Sequence, residues 1–232
     1  MMLDKSNEKI GAMFDNIAPT YDTLNHILSF NADKKWRKKA VDELLSNRPT
    51  TILDVATGTG DMIIEIANRG NFNIIGIDIS TKMLAIAKEK HQFLQLKNIQ
   101  YIESAAESIP ISDAYFDAAS VAFGVRNFEN LPKGLAEIYR VLRVGGVLVV
   151  LEFIKPNNKL TRVFLRWYLK YILPFIAYLI SKNRDAYKYL AQSIDEFYTK
   201  DNFQQICQHA GFKILKTKVL FMGLVAIFVL KK

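Results

Sequence analysis

The stretch Leu53–Asp61, "LDVATGTGD", decides how the chain is read. An apolar run ends in Asp54, and Gly58 and Gly60 follow two apart. Glycine at a strand-to-helix turn takes positive φ and lets a ligand touch the backbone, while the helix beyond offers free N–H groups. A dinucleotide fingerprint asks for a third glycine where this chain has Ile63, whose branched side chain would hold helix and strand apart. Asp61 would also set a negative charge against a diphosphate at the helix N-terminus. The turn therefore points to a nucleoside ligand without phosphate.

Working outward, "TTILDVA" (50–56) and "NFNIIGID" (71–78) read as buried strands, and "TKMLAIAKEKHQFLQL" (81–96) as a helix begun by Ser80. "NIQYIES" and "YFDAASVAF" are further strands, and "LPKGLAEIYRVLR" is a helix that hands over through Gly145 and Gly146 to the strand "VLVVLEF". This alternation predicts an α/β fold, a doubly wound, mostly parallel sheet with helices on both faces. The end departs from it: after "DNFQQICQHAGF", a helix stopped by Gly211, "KILKTKVL" and "LVAIFVL" read as an antiparallel pair at one edge. The 232 residues fit one domain with four parts: a helical segment over 1–49, a core over 50–154, a helical insertion over 155–198, and a last helix and hairpin over 199–232.

Asp78 closes the second strand, where an acid can accept hydrogen bonds from both hydroxyls of a ribose. The same residue also suits a plain helix N-cap or turn acid. With no phosphate signature, the cofactor that fits is S-adenosylmethionine: an adenosine, an ammonium and a sulfonium. "AAES" would lie along the adenine, Ala105 and Ala106 offering backbone groups, and "SVAFGVRN" beneath the reacting centre.

Composition bounds the rest. The hydrophobic share of 50% and aromatic share of 12% leave apolar surface for a ligand or a membrane, or simply make a large core. Cys207 is the single cysteine and the three histidines are scattered, so no metal site is expected and a reducing, cytoplasmic setting fits. The opening "MMLDKSNEKIGAMF" lacks an apolar signal core. A net charge of +8 attracts anionic surfaces without choosing among them. "KKWRKK" (34–39) reads as a solvated helix face around Trp36, not as a nucleic-acid patch.

Together "LDVATGTGD", "IGIDIS", "SIPISDAYFD" and "IYRVLRVGG" resemble the seven-stranded class I methyltransferases. "YDTLNHILSF", "KWR", "FGVRN" and "VLEFIKP" resemble one branch, the demethylmenaquinone and ubiquinone biosynthesis C-methyltransferases, over nearly the whole chain. The resemblance implies methyl transfer from S-adenosylmethionine to a ring carbon of a polyprenylated quinol, demethylmenaquinol first. The alternatives are a 2-methoxy-6-polyprenyl-1,4-benzoquinol and another small molecule on the same cofactor fold. Carried over by motif, Asp54, Gly58, Thr59, Gly60, Asp78, Ile79, Ala105, Ala106 and Ala122 belong to the cofactor site. Ala105 and Ala122 stand where relatives often have polar residues, as Asn31 does where glycine is common, so only backbone contacts carry over at the two alanines.

Ring methylation needs a cation for the phenolate and a proton acceptor. Arg126 suits the first role, since arginine stays protonated and can fork onto an oxygen. Tyr21 is the lid, and Asp22 or His26 the proton acceptor; structural roles for all three, with Tyr21 packing, Asp22 capping a helix and His26 in solvent, stay open. In "TRVFLRWYLKYILPFIAYLISKNR" (161–184), Arg162, Arg166 and Lys170 recur every four residues against an apolar face. Pro174 breaks the run, and no uncharged stretch reaches the roughly 20 residues that span a bilayer. Residues 159–182 are thus a candidate for peripheral membrane contact, for holding the substrate tail, or for packing on the sheet or on the second subunit of a homodimer.

Overall fold

The computed structural model describes residues 3–172 and 184–232. Seven strands form one sheet in the order β3-β2-β1-β4-β5-β7-β6. They are β1 (Thr51–Val55), β2 (Asn73–Asp78), β3 (Ile99–Glu103), β4 (Phe116–Ala122), β5 (Leu142–Phe153), β6 (Lys213–Leu220) and β7 (Val225–Lys231). β1 to β5 pair in parallel, while β7 is antiparallel to both β5 and β6. The expected edge hairpin is therefore present, with β7 inserted inside β6. β5 begins at Leu142, before the two glycines rather than after them, and its register against β4 shifts between Phe116 and Ala118 around Gly145 at φ +81°.

Alternate side chains of the central strands feed two cores. On one face Leu53, Ile77, Val121 and Val150 pack with Leu135 and Ile138 of α5 (Leu131–Val141) and Phe203 of α8 (Lys200–His209). On the other, Ile52, Ile74, Ala118 and Val149 pack with Trp36, Ala40 and Leu44 of α2 (Ala32–Leu45) and Met62 and Ile66 of α3 (Asp61–Ala67). The lysines 34, 35, 38 and 39 of α2 are exposed around that buried face, as its periodicity predicts.

Helix α1 (Asn7–Leu28) runs unbroken through Pro19. Asp15 ties it to the start of α4 (Thr81–Phe93), accepting the Ser80 hydroxyl at 2.6 Å and the Lys82 N–H at 3.1 Å. Ser80 caps α4 as expected, its hydroxyl oxygen accepting the Met83 N–H at 3.1 Å. Within the insertion, α6 (Lys159–Trp167) is followed by a wide turn over Tyr168–Ile172, and α7 (Arg184–Glu196) returns to the sheet. The expected break at Pro174 lies outside the described residues, as do the side chains of Arg166 and Lys170.

Candidate active site

The strand order reverses between β1 and β4, and their carboxyl ends open a crevice there. The chain is strained on both lips: Ala56 and Phe123, neither of them glycine, hold φ at +53° and +58°. Between them, Gly124 leaves no room for a side chain, because a Cβ would come within 2.6 Å of the Ala56 methyl. Gly58 is at φ +55° with open space where its Cβ would point.

Asp78 anchors this turn. Its carboxylate accepts the Gly58 N–H at 2.8 Å and the Ser80 N–H at 2.9 Å. Burial pushes its pKa up, and those N–H groups pull it partly back. Asp54 lies beneath, accepting the hydroxyls of Thr57 and Ser120, each at 2.6 Å. The cleft above is walled by Gly58, Asp78, Ile79, Ala106 and Ala122 among the expected residues, with Tyr21 and the first half of α1 folded over it through Asn7, Ile10 and Phe14. Asp54, Thr59, Gly60 and Ala105 are not in that wall. Thr59 donates its hydroxyl to Asp22 at 2.6 Å, so both residues brace the turn against α1.

One charge assignment and one packing expectation change. Asp61 does not face the cleft; it pairs with Lys90 at 2.8 Å and Arg37 at 3.6 Å. Among the described residues, the acids in the cleft wall are Asp78 and Glu107, and no lysine or arginine lines it. The acids that could meet a cationic ligand there are therefore Asp78 and Glu107, not Asp61. Nor does Ile63 prop helix and strand apart: it is fully buried, and Gly76 of β2 provides the hollow that receives it. The close approach lies across the helix–strand contact rather than in the turn.

Beside this cleft lies an apolar cavity of about 370 Å³, and Tyr21 and Phe123 belong to both walls. Trp36 packs near Phe123, Phe153 and Phe221, with ring centroids 6.2, 6.3 and 5.4 Å away. Trp167, Tyr168, Leu190 and Ile194 of the insertion complete the wall. Tyr168 donates its hydroxyl to the Leu28 carbonyl at 2.8 Å, which fixes the insertion to α1.

Arg126 enters this cavity from a short turn after β4. It is 4% exposed, donating from one Nη to the Phe123 carbonyl and Glu152, each at 2.6 Å, while its Nε–H is buried without a partner among the described residues. Burial raises the pKa of Glu152, against the pull of Arg126. The Tyr21 hydroxyl is likewise pushed up by burial and drawn back by Arg126. Asp22 is absent from the cavity wall; its second partner is Lys90 at 2.6 Å. Sequence reading missed Asp33, which does line it. Asp33 accepts from Ser29 at 2.7 Å and Arg37 at 2.5 Å and meets His26 Nδ1 at 2.8 Å. Those partners hold its pKa down despite burial. The i, i+4 spacing of Asp33 and Arg37 was the available signal. His26, Asp33 and Asp61 converge closely enough to suggest a metal site, but Arg37 already fills the space beside both acids.

The sequence profile of the ubiE/COQ5 methyltransferase family matches residues 2–232. The chain belongs to that family. Among relatives of this methyltransferase, the demethylmenaquinone methyltransferase of Thermus thermophilus is 42% identical over 94% of this chain and 98% of its own. The ubiquinone/menaquinone biosynthesis C-methyltransferase UbiE of Campylobacter jejuni is 43% identical over 98% of this chain and 99% of its own. Among solved structures, the [4+2]-cyclase SpnF superposes with a TM-score of 0.72 at 18% identity, covering 96% of this methyltransferase and 94% of the cyclase. That likeness extends to the fold alone.

Proposed function

We propose that this methyltransferase moves a methyl group from S-adenosylmethionine to a ring carbon of a polyprenylated quinol in respiratory quinone biosynthesis, with demethylmenaquinol as the substrate. The observation that carries the reading is the pair of adjoining cavities: a nucleoside cleft whose described wall has acids and no basic residue, joined at Tyr21 and Phe123 to an aromatic cavity that holds a buried guanidinium. Asp78 and the open backbone at Gly58 fit a ribose and a closely held cofactor. Bound there, the cofactor supplies a sulfonium methyl, already electrophilic, so the protein's task is alignment and activation of the ring.

Arg126 supplies the activation. Its guanidinium, part of the cavity wall, would stabilise the phenolate, which pushes electron density onto the adjacent carbon. Asp33, ionised and facing the same cavity, takes the hydroxyl proton, and His26 behind it passes the proton outward. Once that carbon carries the methyl group, the same pair would take the carbon's own hydrogen as a proton while the oxygen regains one, so that the quinol is restored and one proton is released overall. Tyr21 and Phe123 separate the two cavities and exclude water from the transfer. Residues 1–49 act as the lid, with α1 over the nucleoside cleft.

The enzyme works at the cytoplasmic side of the membrane that dissolves its substrate. Supporting this, Phe30, Trp167 and Phe221 line the cavity and are also 75%, 51% and 49% exposed, so the apolar cavity opens onto an apolar rim. No described helix is long and apolar enough to cross a bilayer.

Arg126→Gln paired with Glu152→Gln tests the mechanism without leaving one buried charge unpaired, a state that costs about 3–5 kcal/mol. Turnover of short-tailed naphthoquinol and benzoquinol acceptors is expected to fall about 100-fold or more, with S-adenosylhomocysteine binding retained. Near-normal turnover would remove Arg126 from the chemistry. Methylation of the benzoquinol in preference to the naphthoquinol would reassign the substrate.

A further inference from the structure

Asp33 and Arg37 belong to the wall of the aromatic cavity, whereas Asp61, at the start of α3, is absent from that wall. A row of side chains nevertheless joins them. Asp33 is 3% exposed and both its oxygens are engaged: Oδ1 accepts the Ser29 hydroxyl, and Oδ2 meets His26 and one Nη of Arg37. The other Nη of Arg37 faces Asp61 at 3.6 Å. Asp61 pairs in turn with Lys90 of α4 at 2.8 Å, and Lys90 with Asp22 of α1 at 2.6 Å. Asp22 accepts the Thr59 hydroxyl, which returns the row to the glycine turn.

Charge alternates along this row, so that each cation lies between two carboxylates. Burial pushes the carboxyl of Asp61 up, but Arg37 and Lys90 together hold it below the usual carboxylate range. A guanidinium is a rigid planar fork, and one that meets a carboxylate on each prong cannot turn without leaving one of them. The Asp61 end of Arg37 therefore fixes the Asp33 end. With a neutral group in place of the Asp61 carboxylate, Arg37 and Lys90 would face each other without an anion between them. The fork would then be free to close onto Asp33, neutralising that carboxylate and shifting it within the cavity. A purely structural role for Asp61, an acid in the first turn of α3 that complements the helix dipole, would not depend on Asp33 at all.

We propose that Asp61 is a positioning residue for the methyl transfer: through the far prong of Arg37 it holds Asp33 in place as the proton acceptor of the aromatic cavity. The proposal rests on the reading of Asp33 given above. It gives the carboxylate that follows the glycine turn a part in the chemistry of the neighbouring cavity.

A double-mutant cycle on kcat tests it, with a short-tailed naphthoquinol at saturation and S-adenosylhomocysteine affinity measured by calorimetry on every variant. Asp61→Asn keeps an oxygen for Lys90 and loses the charge that holds Arg37, so kcat should fall about 10-fold or more through misplacement of the acceptor. Affinity for S-adenosylhomocysteine should stay within about 2-fold, and Asp61→Glu, whose extra methylene can close the gap to Arg37, should restore most of kcat. In an Asp33→Asn background, itself about 100-fold slower, adding Asp61→Asn should change kcat by less than about 2-fold, because the group it acts through is gone. Arg37→Lys is the companion variant should Asp61→Asn not fold: a single ammonium cannot grip both carboxylates, so the same loss of kcat is expected. Near-normal kcat in Asp61→Asn or Arg37→Lys would overturn the proposal, as would costs that multiply in the double variant. A parallel loss of S-adenosylhomocysteine affinity would also overturn it, placing Asp61 in support of the glycine turn. Near-normal kcat in Asp33→Asn alone would overturn the reading of Asp33 itself.

Discussion

Asp54 is 1% exposed beneath the glycine turn, and burial lifts its carboxyl to about 6 even though two hydroxyls donate to it. An ordinary aspartate titrates near about 3.9. Between those values the native state keeps a proton that the unfolded chain has lost, so this group's contribution to stability is complete below about pH 4 and is lost as pH rises through about 6. The change across that window is about 2 to 3 kcal/mol. Asp54→Asn removes the titration, so the melting temperature of the wild type minus that of the variant should be higher at pH 4.5 than at pH 7.5. A difference that does not vary with pH would mean that Asp54 is not the titrating group. Residues of this kind show how far sequence reads single side chains. The acid at Asp78 and the glycine at Gly58 are legible because the strand ends that place them are local. Asp61 was misread because the partners that claim its charge, Arg37 and Lys90, come from helices 24 residues before it and 29 after it, and periodicity does not bring those together.

The same limit appears between elements. The apolar runs of the strands and the longer period of the helices revealed the parallel part of the sheet and the closing hairpin, since each depends on local pattern. How α3 sits on β2 was not legible, because a missing third glycine in the turn says nothing about a glycine in the next strand. A Cβ at Gly76 would lie 2.6 Å from Ile63 Cδ1 and 3.1 Å from Thr57 Cγ2 and Tyr101 Cδ1. Gly76→Ala should therefore destabilise the protein by about 1–3 kcal/mol through overpacking. Ile63→Val removes the clashing methyl and on its own costs about 0.5–1.5 kcal/mol. If the contact is the cause, the double variant will be more stable than the sum of the two singles by at least about 0.5 kcal/mol in urea titrations. Additive costs would place the close approach elsewhere.

At the scale of the whole molecule, an apolar cavity that opens onto exposed apolar residues raises the question of what covers them. The insertion reads differently from its sequence pattern here. Arg162, the first of the basic residues spaced by four, is half-buried and donates to the Pro156 carbonyl at 3.1 Å, while Leu160 and Val163 of the same helix are 81% and 68% exposed. Met222, beside Phe221 on the cavity rim, is 80% exposed and held at φ +55° in the β6–β7 turn. Exposed Lys34 and Lys38 of α2 lie next to the cavity residues Asp33 and Arg37. Exposed apolar side chains would each gain about 1.5–3 kcal/mol on burial in a bilayer, and a lysine near an anionic surface about 1 kcal/mol. A substrate tail would then pass from cavity to bilayer without crossing water. Leu160→Ser, Val163→Ser and Met222→Ser together touch only exposed positions, so folding and turnover of a tail-less quinol in solution should be unchanged. Partition onto vesicles containing anionic lipid should fall more than about tenfold, since the loss exceeds 1.4 kcal/mol, and turnover of a long-tailed quinol in those vesicles should fall with it. Unaltered vesicle binding by the triple variant would show that this rim does not meet the membrane, and the tail would then need another exit from the cavity.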